Sequence, residues 1–245
     1  MTKKIYMICL SVILTVCMVT GICLYIFLDD IRKGEEEKLR YDVEEFSSIT
    51  ISAKKLDVEI IEAANYYVEC YSYGKNEPEV YVTSNMLKII QDEFKESDNK
   101  NNGCRVVIGI PDSKTILHTN IKVEDGNVDM KDIISTNISI KNNIGKICLD
   151  NITSISTKID VNVGDINIEG RDIKFVNVTG IYSNIKMNTG EARNDRVIHI
   201  SSVRGKVYAF GTQGLDEIEN ATQHKTANLT TVMGDVYYNT NINND

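Results

Sequence analysis

Carboxylates beside an arginine are the one group in this sequence with the chemistry to cleave a sugar polymer. Glu169, Arg171 and Asp172 are close together, and Asp150 precedes Glu169 by 19 residues. Such cleavage needs paired carboxylates, one of them acting as acid. Most of the acidic candidates in this half of the chain lie at predicted turns or outward strand positions, where a solvated charge is the ordinary outcome. These candidates are Asp125, Asp129, Asp132, Asp150, Asp160, Asp165 and Asp172. We therefore predict no catalytic residue.

Histidines and loops offer no second kind of chemistry. His118, His199 and His224 are isolated, and none has the spacing of a zinc-binding motif. No nucleophile elbow, Walker loop or dinucleotide fingerprint occurs. Turns rich in Asp and Asn offer oxygen ligands to Ca²⁺, but their spacing matches neither the EF-hand loop nor the nine-residue calcium repeat. The sequence thus predicts no metal site and no cofactor.

Cysteines and tyrosines are the remaining candidates. Three cysteines lie near the amino terminus and three are scattered, without a CxxC motif: Cys9, Cys17, Cys23, Cys70, Cys104 and Cys148. We predict them to be small buried residues, with one disulfide possible in an exported domain and no pairing assigned. Five tyrosines either form an aromatic binding face or simply pack on a sheet: Tyr66, Tyr67, Tyr71, Tyr73 and Tyr81.

The composition excludes some partners. Of the 245 residues, 42% are hydrophobic and 25% are charged, which is typical of a folded protein. The net charge of −8 argues against nucleic acid, because no basic stripe offsets repulsion by phosphates. The same balance argues against an anionic membrane surface as the target of the folded part.

The elements that carry these residues repeat with a period near 19. Fixed periods of this size are typical of solenoids, and alternation inside each repeat gives inward apolar columns. We predict an all-β, right-handed β-helix over residues 112–245, with a glycine of positive φ turning each corner. The recurring turn combines a glycine, a polar residue and an apolar residue: Gly126-Asn127-Val128, Gly145-Lys146-Ile147, Gly164-Asp165-Ile166, Ser183-Asn184-Ile185, Gly205-Lys206-Val207 and Gly234-Asp235-Val236.

Register at this period predicts which residues share a column. Thr157 interrupts the column of Ile138 and Val176, and Ser183 replaces the corner glycine. Insertions near residues 191–196 and 214–225 are expected either to form loops on a binding face or to cap the open end. Three further columns are predicted to point inward: Val128, Ile147, Ile166 and Ile185; Met130, Leu149, Ile168 and Met187; Ile140, Ile159 and Val178.

Residues 46–111 are predicted to form a first β block before the repeats. Leu56, Val58 and Ile60 alternate with Asp57 and Glu59, as in a half-buried strand. The polar stretch from 91 to 104 is predicted as a loop. Because the ends of a β-helix must be covered, we expect this block to cap one end and residues 239–245 to cap the other.

An uncharged run at residues 5–28 follows two lysines and predicts an uncleaved transmembrane signal anchor over residues 1–28, with a cleaved signal as the alternative. A helix of that length spans roughly 36 Å, enough for a hydrocarbon core of about 30 Å. The short amino terminus favours an inside position, with the rest of the chain outside. Residues 29–45 are predicted as a charged juxtamembrane spacer, with a helical extension of the anchor as one form.

The strands and corners together resemble the DUF4097 family. The resemblance rests on Phe46-Ser47-Ser48-Ile49-Thr50-Ile51, on Leu56-Asp57-Val58-Glu59-Ile60 and on the glycine corners, and it covers about residues 45–240. It implies a bacterial envelope protein with a β-helix-like domain, an adhesion role or an envelope-stress role, and no defined catalytic residues. Ser183 and the long last coil depart from the pattern.

Three functions follow as hypotheses. The first is a membrane-anchored, non-enzymatic, adhesin-like module that binds cell-wall polymer or another surface component. The second is an envelope-stress sensor or regulator, whose anchor packs against a membrane protein through small residues such as Gly21. The third is a polysaccharide-acting enzyme.

Overall fold

The computed structural model describes residues 15–21, 36–73, 76–94, 103–112, 114–189, 196–204, 207–210 and 225–239. They form one short helix, at residues 15–21, and sixteen strands. The strands are β1 (Glu36–Asp42), β2 (Ser48–Ala63), β3 (Tyr67–Tyr73), β4 (Glu79–Thr83), β5 (Met86–Gln91), β6 (Cys104–Pro111), β7 (Thr115–Asp125), β8 (Val128–Lys131), β9 (Ile134–Ile144), β10 (Ile147–Val163), β11 (Ile166–Tyr182), β12 (Ile185–Thr189), β13 (Arg196–Arg204), β14 (Val207–Phe210), β15 (Lys225–Met233) and β16 (Val236–Asn239).

Within these ranges, none of the helical structure has the length and apolar character needed to span a bilayer. Most of the predicted anchor lies outside the described residues, as do both predicted insertions except for their last residues, 196 and 225. The anchor therefore stays a prediction.

The strands form two parallel stacks around one core. The first stack contains, in spatial order, β5, the first part of β2, β7, β9, the second parts of β10 and β11, β15 and β13. The second stack contains β6, the second part of β2, β8, the first parts of β10 and β11, β12, β16 and β14. Each coil supplies one strand to each stack, which confirms the predicted all-β, solenoid-like architecture.

The predicted inward columns are correct in register and in burial. Ile147 pairs with Ile166, and Ile166 pairs with Ile185. The column through the first stack runs over Ile51, Ile121, Ile140, Ile159 and Val178, each of them 1% exposed or less. Burial of one such side chain contributes roughly 1.5–3 kcal/mol. One cluster of buried residues spans both the first β block and the repeats.

Thr157 shows how the interrupted column is accommodated. Its side chain is buried, and its hydroxyl lies 2.6 Å from the Ser154 hydroxyl in a hydrogen bond. A buried hydroxyl that is paired in this way avoids the cost of desolvation without a partner. The polar residue therefore fits the core column without leaving its hydroxyl unbonded.

Glycine corners hold the coils in register. Gly126, Gly145, Gly164 and Gly234 have φ between 138° and 152°. A Cβ added at Gly145 would lie 1.9 Å from the carbonyl oxygen of Gly126 in the coil below. Neither the conformation nor the space suits a side chain at these positions. The backbone continues the contact by hydrogen bonding, as from Gly145 N to Val163 O at 2.9 Å.

Ser183 occupies the same column without the glycine conformation. It is not among the described residues with positive φ, and its side chain is buried. Its N–H donates to Met233 O at 2.9 Å, and a Cβ at Gly234 would lie 2.0 Å from its carbonyl oxygen. The corner is thus rebuilt locally while the contact between coils is kept.

Both ends depart from the expectation that each coil stacks on the one before it in sequence. At the first end, β2 lies between β6 and β8, so the coil that contains β5 and β6 is placed outside the coil that precedes it. At the other end, β15 pairs with β11 on one side and with β13 on the other. The last described coil is therefore inserted beneath the coil that precedes it in sequence.

The cap expected from residues 239–245 at the second end stays a prediction. Residue 239 ends β16, which lies between β12 and β14, and residues 240–245 lie outside the described residues. The outermost described strands at this end are β13 and β14.

Antiparallel strands finish the first end. β3 pairs antiparallel with β6, and β1 pairs antiparallel with β3. β4 and β5 form a hairpin through Ser84 and Asn85, whose φ values of 50° and 64° suit a two-residue turn. Part of the predicted spacer is therefore β1 of the folded domain and not a helical extension, because Tyr41 packs against the core while Arg40 pairs with Glu69.

Candidate functional site

Alternation along the strands gives the solenoid two outward surfaces of different charge. We call the outer side of the first stack the basic face and the outer side of the second stack the acidic face. The polar and charged residues of the basic face are Thr50, Ser52, Lys54, Lys88, Asn120, Lys122, Glu124, Ser139, Lys141, Lys158, Asp160, Asn177 and Thr179. The acidic face contains Asp57, Glu59, Asp129, Lys131, Lys146, Cys148, Asp150, Asn167, Glu169 and Lys186.

Carboxylates crowd the early part of the acidic face. Asp129 is in register with Glu59 on the neighbouring strand. Burial, followed by the charges of Glu59 and Asp57, raises the pKa of the Asp129 carboxyl above its ordinary value. Burial also raises the pKa of the Cys148 thiol, the next residue in the column, so this thiol is held in its unreactive protonated form.

The candidate catalytic set is only partly assembled. Asp150 and Glu169 are direct neighbours on β10 and β11 in the second stack. Asp172 instead pairs with Thr153, beyond the bulge that begins the first-stack part of these strands. Lys131 lies 4.0 Å from Asp150 and partly balances it. Among the residues that the structure describes, no three His, Cys, Asp or Glu side chains are placed to hold a metal ion.

A ladder of side chains follows the glycine column, and sequence reasoning did not foresee its bonding. Asp57 Oδ1 accepts from Asn127 N at 2.7 Å, and Asn127 Oδ1 accepts from Lys146 N at 2.9 Å. Farther along, Asn184 Nδ2 donates to Asp165 Oδ1, and Asn184 Oδ1 accepts from Asp235 N, both at 2.9 Å. The signal was an Asn or Asp directly after four of the six corners, at Asn127, Asp165, Asn184 and Asp235, because these residue types bond nearby backbone.

The opposite corner carries a second ladder. Asp132 and Asn151 have φ values of 56° and 53°, and Asn151 Nδ2 donates to Asp132 Oδ1. Both residue types tolerate this conformation better than most side chains do. Asp132 is thus a structural turn residue, as its sequence position suggested.

The tyrosines do not form one face. Tyr66 packs against Phe46 with ring centroids 4.8 Å apart, and Tyr81 lies near Lys88 at the edge of the basic face. Tyr67 and Tyr71 lie on β3, where the guanidinium of Arg40 is 4.3 Å from the Tyr67 ring centroid. The side chain of Tyr73 lies outside the described part. The tyrosines whose side chains are described therefore lie at three separate places and do not form one aromatic binding face.

Glu69 is the centre of a paired cluster at the first end. Its side chain is 12% exposed, and its carboxylate accepts from Tyr71 Oη at 2.8 Å, with Lys38 Nζ at 3.1 Å and Arg40 Nη1 at 3.0 Å. The Tyr71 hydrogen bond, with help from both cations, holds the pKa of the Glu69 carboxyl below its ordinary value. Arg105 stacks on Tyr71 at 4.3 Å. Every charge has a partner, so the cluster joins β1, β3 and β6.

Histidines and cysteines take ordinary places where they are described. His118 Nδ1 lies 3.2 Å from Asn137 Nδ2, while the His199 side chain and His224 lie outside the described part. Cys70 and Cys104 are buried thiols, as predicted for small apolar residues, and Cys104 Sγ donates to Asn76 O at 3.1 Å. Burial raises the pKa of the Cys70 thiol to about 12, which keeps it protonated.

Comparison with known proteins identifies the family to which this fold belongs. The profile of the Toastrack DUF4097 family matches residues 46–242. The chain belongs to this family. Among solved structures, one provisionally named as a cell adhesion protein of Clostridium sporogenes is similar, with 13% identity, a TM-score of 0.52, and coverage of 84% of this chain and all of the other.

A second solved structure, provisionally named an adhesin of Bacteroides fragilis, has 16% identity and a TM-score of 0.47, and it covers 84% of this chain and 97% of its own. The search of curated proteins finds no match. At these identities the likeness to the Clostridium structure establishes the Toastrack fold and leaves ligands open. The family predicted from the corners and the opening strands is thereby confirmed.

Proposed function

We propose that this Toastrack protein is a non-enzymatic, adhesin-like module of the bacterial envelope. In this proposal residues 1–28 anchor it in the cell membrane with a single span, and the β domain outside binds cell-wall polymer. The observation that carries the proposal is the basic face, a sheet surface of exposed hydroxyl, amide and lysine groups held in fixed register. A rigid polar face suits an extended polymer, because binding orders few protein groups.

Names of similar solved structures agree with this role. Two of them are provisionally named for adhesion. The third hypothesis, a polysaccharide-acting enzyme, gains no support from the site, because Asp172 is separated from the Asp150 and Glu169 pair.

A membrane-bound regulator is the second candidate, and one observation favours it. β1 begins at Glu36, so residues 29–35 alone separate the predicted anchor from the folded domain. An extended link of that length spans about 25 Å at most. Such a short link keeps β1 near the membrane surface, within reach of a partner that is itself a membrane protein.

Capture by two baits tests these functions. One bait is the full chain in its membrane and the other is a soluble fragment of residues 36–245, which keeps β1. We expect the fragment alone to retain purified cell walls, while the same fragment unfolded in urea does not. Capture of a membrane protein by the full chain only, with no retention of walls by the fragment, would instead support the regulator.

A further inference from the structure

Two lysines lie side by side on the basic face, and no carboxylate of the described residues neutralises their charge. Lys122 of β7 and Lys141 of β9 are direct partners in the parallel register, and both are exposed. Neighbouring strands lie about 4.8 Å apart, and like charges directly opposite each other destabilise a sheet. Among the described residues, neither lysine has an ion-pair partner, so the fold itself gives no reason for this pair.

Nearby carboxylates are already engaged. Asp160 follows Lys141 in the column but pairs with Lys158 at 3.5 Å. Glu124 pairs with Lys54 at 2.5 Å. Asp125 pairs with Lys55 at 3.9 Å. The two ammonium groups therefore remain for an anion from outside, and Lys88 adds positive charge farther along the solenoid.

The net charge of −8 does not oppose an anion at this face. The carboxylates Glu59, Asp129 and Glu169 lie on the other stack. The charged side chains of the two faces point away from each other into solvent from sheets about 10 Å apart, so these exposed charges are separated by more than the Debye length of about 8 Å at physiological salt. The acidic face is therefore largely screened from the basic one, and an anionic chain is directed to one side only.

The cations on this face are lysines. Lysine binds phosphate as a point charge, whereas the two-pronged bond of arginine suits carboxylate and phosphate alike. Arg40, Arg105 and Arg171 have described side chains, and none of them is on the basic face. Hydroxyl and amide groups surround the lysine pair and suit the oxygens of a polyol: Ser52, Asn120, Ser139 and Thr179.

We infer that the basic face binds a linear polyol polymer linked by phosphodiesters, which runs along the stacked coils across Lys122 and Lys141. This inference rests on the proposed function, because it names the wall polymer that the module holds. The polymer's phosphates replace the carboxylate partners that the two lysines lack. Binding thereby relieves the repulsion that the sheet carries when it is empty.

The test measures binding of fragment 36–245 to a fluorescent poly(glycerol phosphate) chain at low and physiological salt. The variant Lys122→Gln/Lys141→Gln should lose roughly threefold to tenfold in affinity, as expected for two exposed ion pairs. The matched control is Lys146→Gln/Lys186→Gln, which removes two exposed lysines from the acidic face and gives the same net charge. That control should stay within about twofold of the unmodified fragment.

Three outcomes would overturn the inference. They are equal losses in both variants, no loss in either, and binding of a polyuronate as tight as that of the phosphate polymer. The Lys122→Gln/Lys141→Gln variant should fold, because the substitutions remove a repulsion between like charges. We expect its midpoint of unfolding in urea to be unchanged or slightly higher. Retention of purified walls by the unmodified fragment tests the proposed function separately. Walls held equally by the Lys122→Gln/Lys141→Gln variant would refute this face and leave the proposed function standing.

Discussion

The middle and the ends of this solenoid follow different rules. From β7 to β12, chain order and spatial order agree, and residues 19 apart in sequence lie on neighbouring strands. At the ends, β6 lies outside β2, and β15 lies beneath β13. The repeat therefore sets the coil, while another requirement sets the order of the outermost coils.

That requirement concerns exposed edges. Each end of a parallel stack presents unpaired backbone groups that invite pairing with another chain. The first end is finished by antiparallel strands, β1 on β3 and β4 on β5, and β1 carries charged residues along its edge. Because one coil is inserted between two others at each end, β2, β15 and β16 each pair with a strand on both sides. The end strands are thus part of the fold and not additions to a finished repeat.

Deletion of residues 46–111 should have the largest effect. If the repeats were self-sufficient, a fragment of residues 112–245 would fold. In the structure β2 pairs with both β7 and β8, and Phe46, Ile51 and Ile60 belong to the shared core. We expect the fragment to aggregate or to remain unfolded by circular dichroism. A soluble monomer with cooperative unfolding would show that the ends are dispensable.

Gly145→Ala tests the middle. The added Cβ would lie 1.9 Å from the Gly126 carbonyl oxygen, at a φ of 141°. We expect a loss of about 3 kcal/mol in the free energy of unfolding, measured in urea. Gly103→Ala, directly before β6, is the matched control, because nothing lies within 4 Å of its added Cβ. A change below about 0.5 kcal/mol is expected there, and similar losses in the two variants would contradict the corner argument.

Glu69→Gln tests an end. The substitution removes the charge that binds Lys38 and Arg40, and we expect a loss of about 1–2 kcal/mol at neutral pH. The pKa of this carboxyl is lowered in the folded state from its ordinary 4.5, mainly by the Tyr71 hydrogen bond. Its stabilisation is therefore full above the unfolded pKa and is lost as the pH falls through the folded pKa.

The pH profile distinguishes this electrostatic role from simple packing. Unfolding free energies of Glu69→Gln and of the unmodified protein should converge in acid. Glu62→Gln is the control, because Glu62 is exposed on β2, which is separated from β3 by β6. A difference for Glu69→Gln that persists unchanged at low pH would show that shape, and not charge, is what the cluster requires.

The structure could be predicted best where the apolar residues repeat at a fixed period. A column such as Ile140, Ile159 and Val178 could be predicted because one register places every member at the same height. The antiparallel strand β1 could not be predicted, because its charged residues suggested a spacer. Lys38 and Arg40 find their partner, Glu69, only on β3, with which β1 pairs. The lysine pair follows the same periodic rule as the columns, because Lys122 and Lys141 are 19 residues apart and pair in that register, whereas their lack of an ion-pair partner among the described residues is visible only in the structure.

Asn127→Ala should have the smallest effect on stability. It separates the contribution of the side-chain ladder from that of the glycine corners beside it. The Asn127 side chain joins an end coil to the middle, since its Nδ2 donates to Asp57 and its Oδ1 accepts from Lys146 N. Loss of these exposed bonds should cost about 1 kcal/mol in urea unfolding. Lys146→Ala is the matched substitution, since it keeps the backbone N–H that the ladder uses. If both variants lose the same stability, the ladder adds nothing, and the glycine corners alone hold the end coil on the middle.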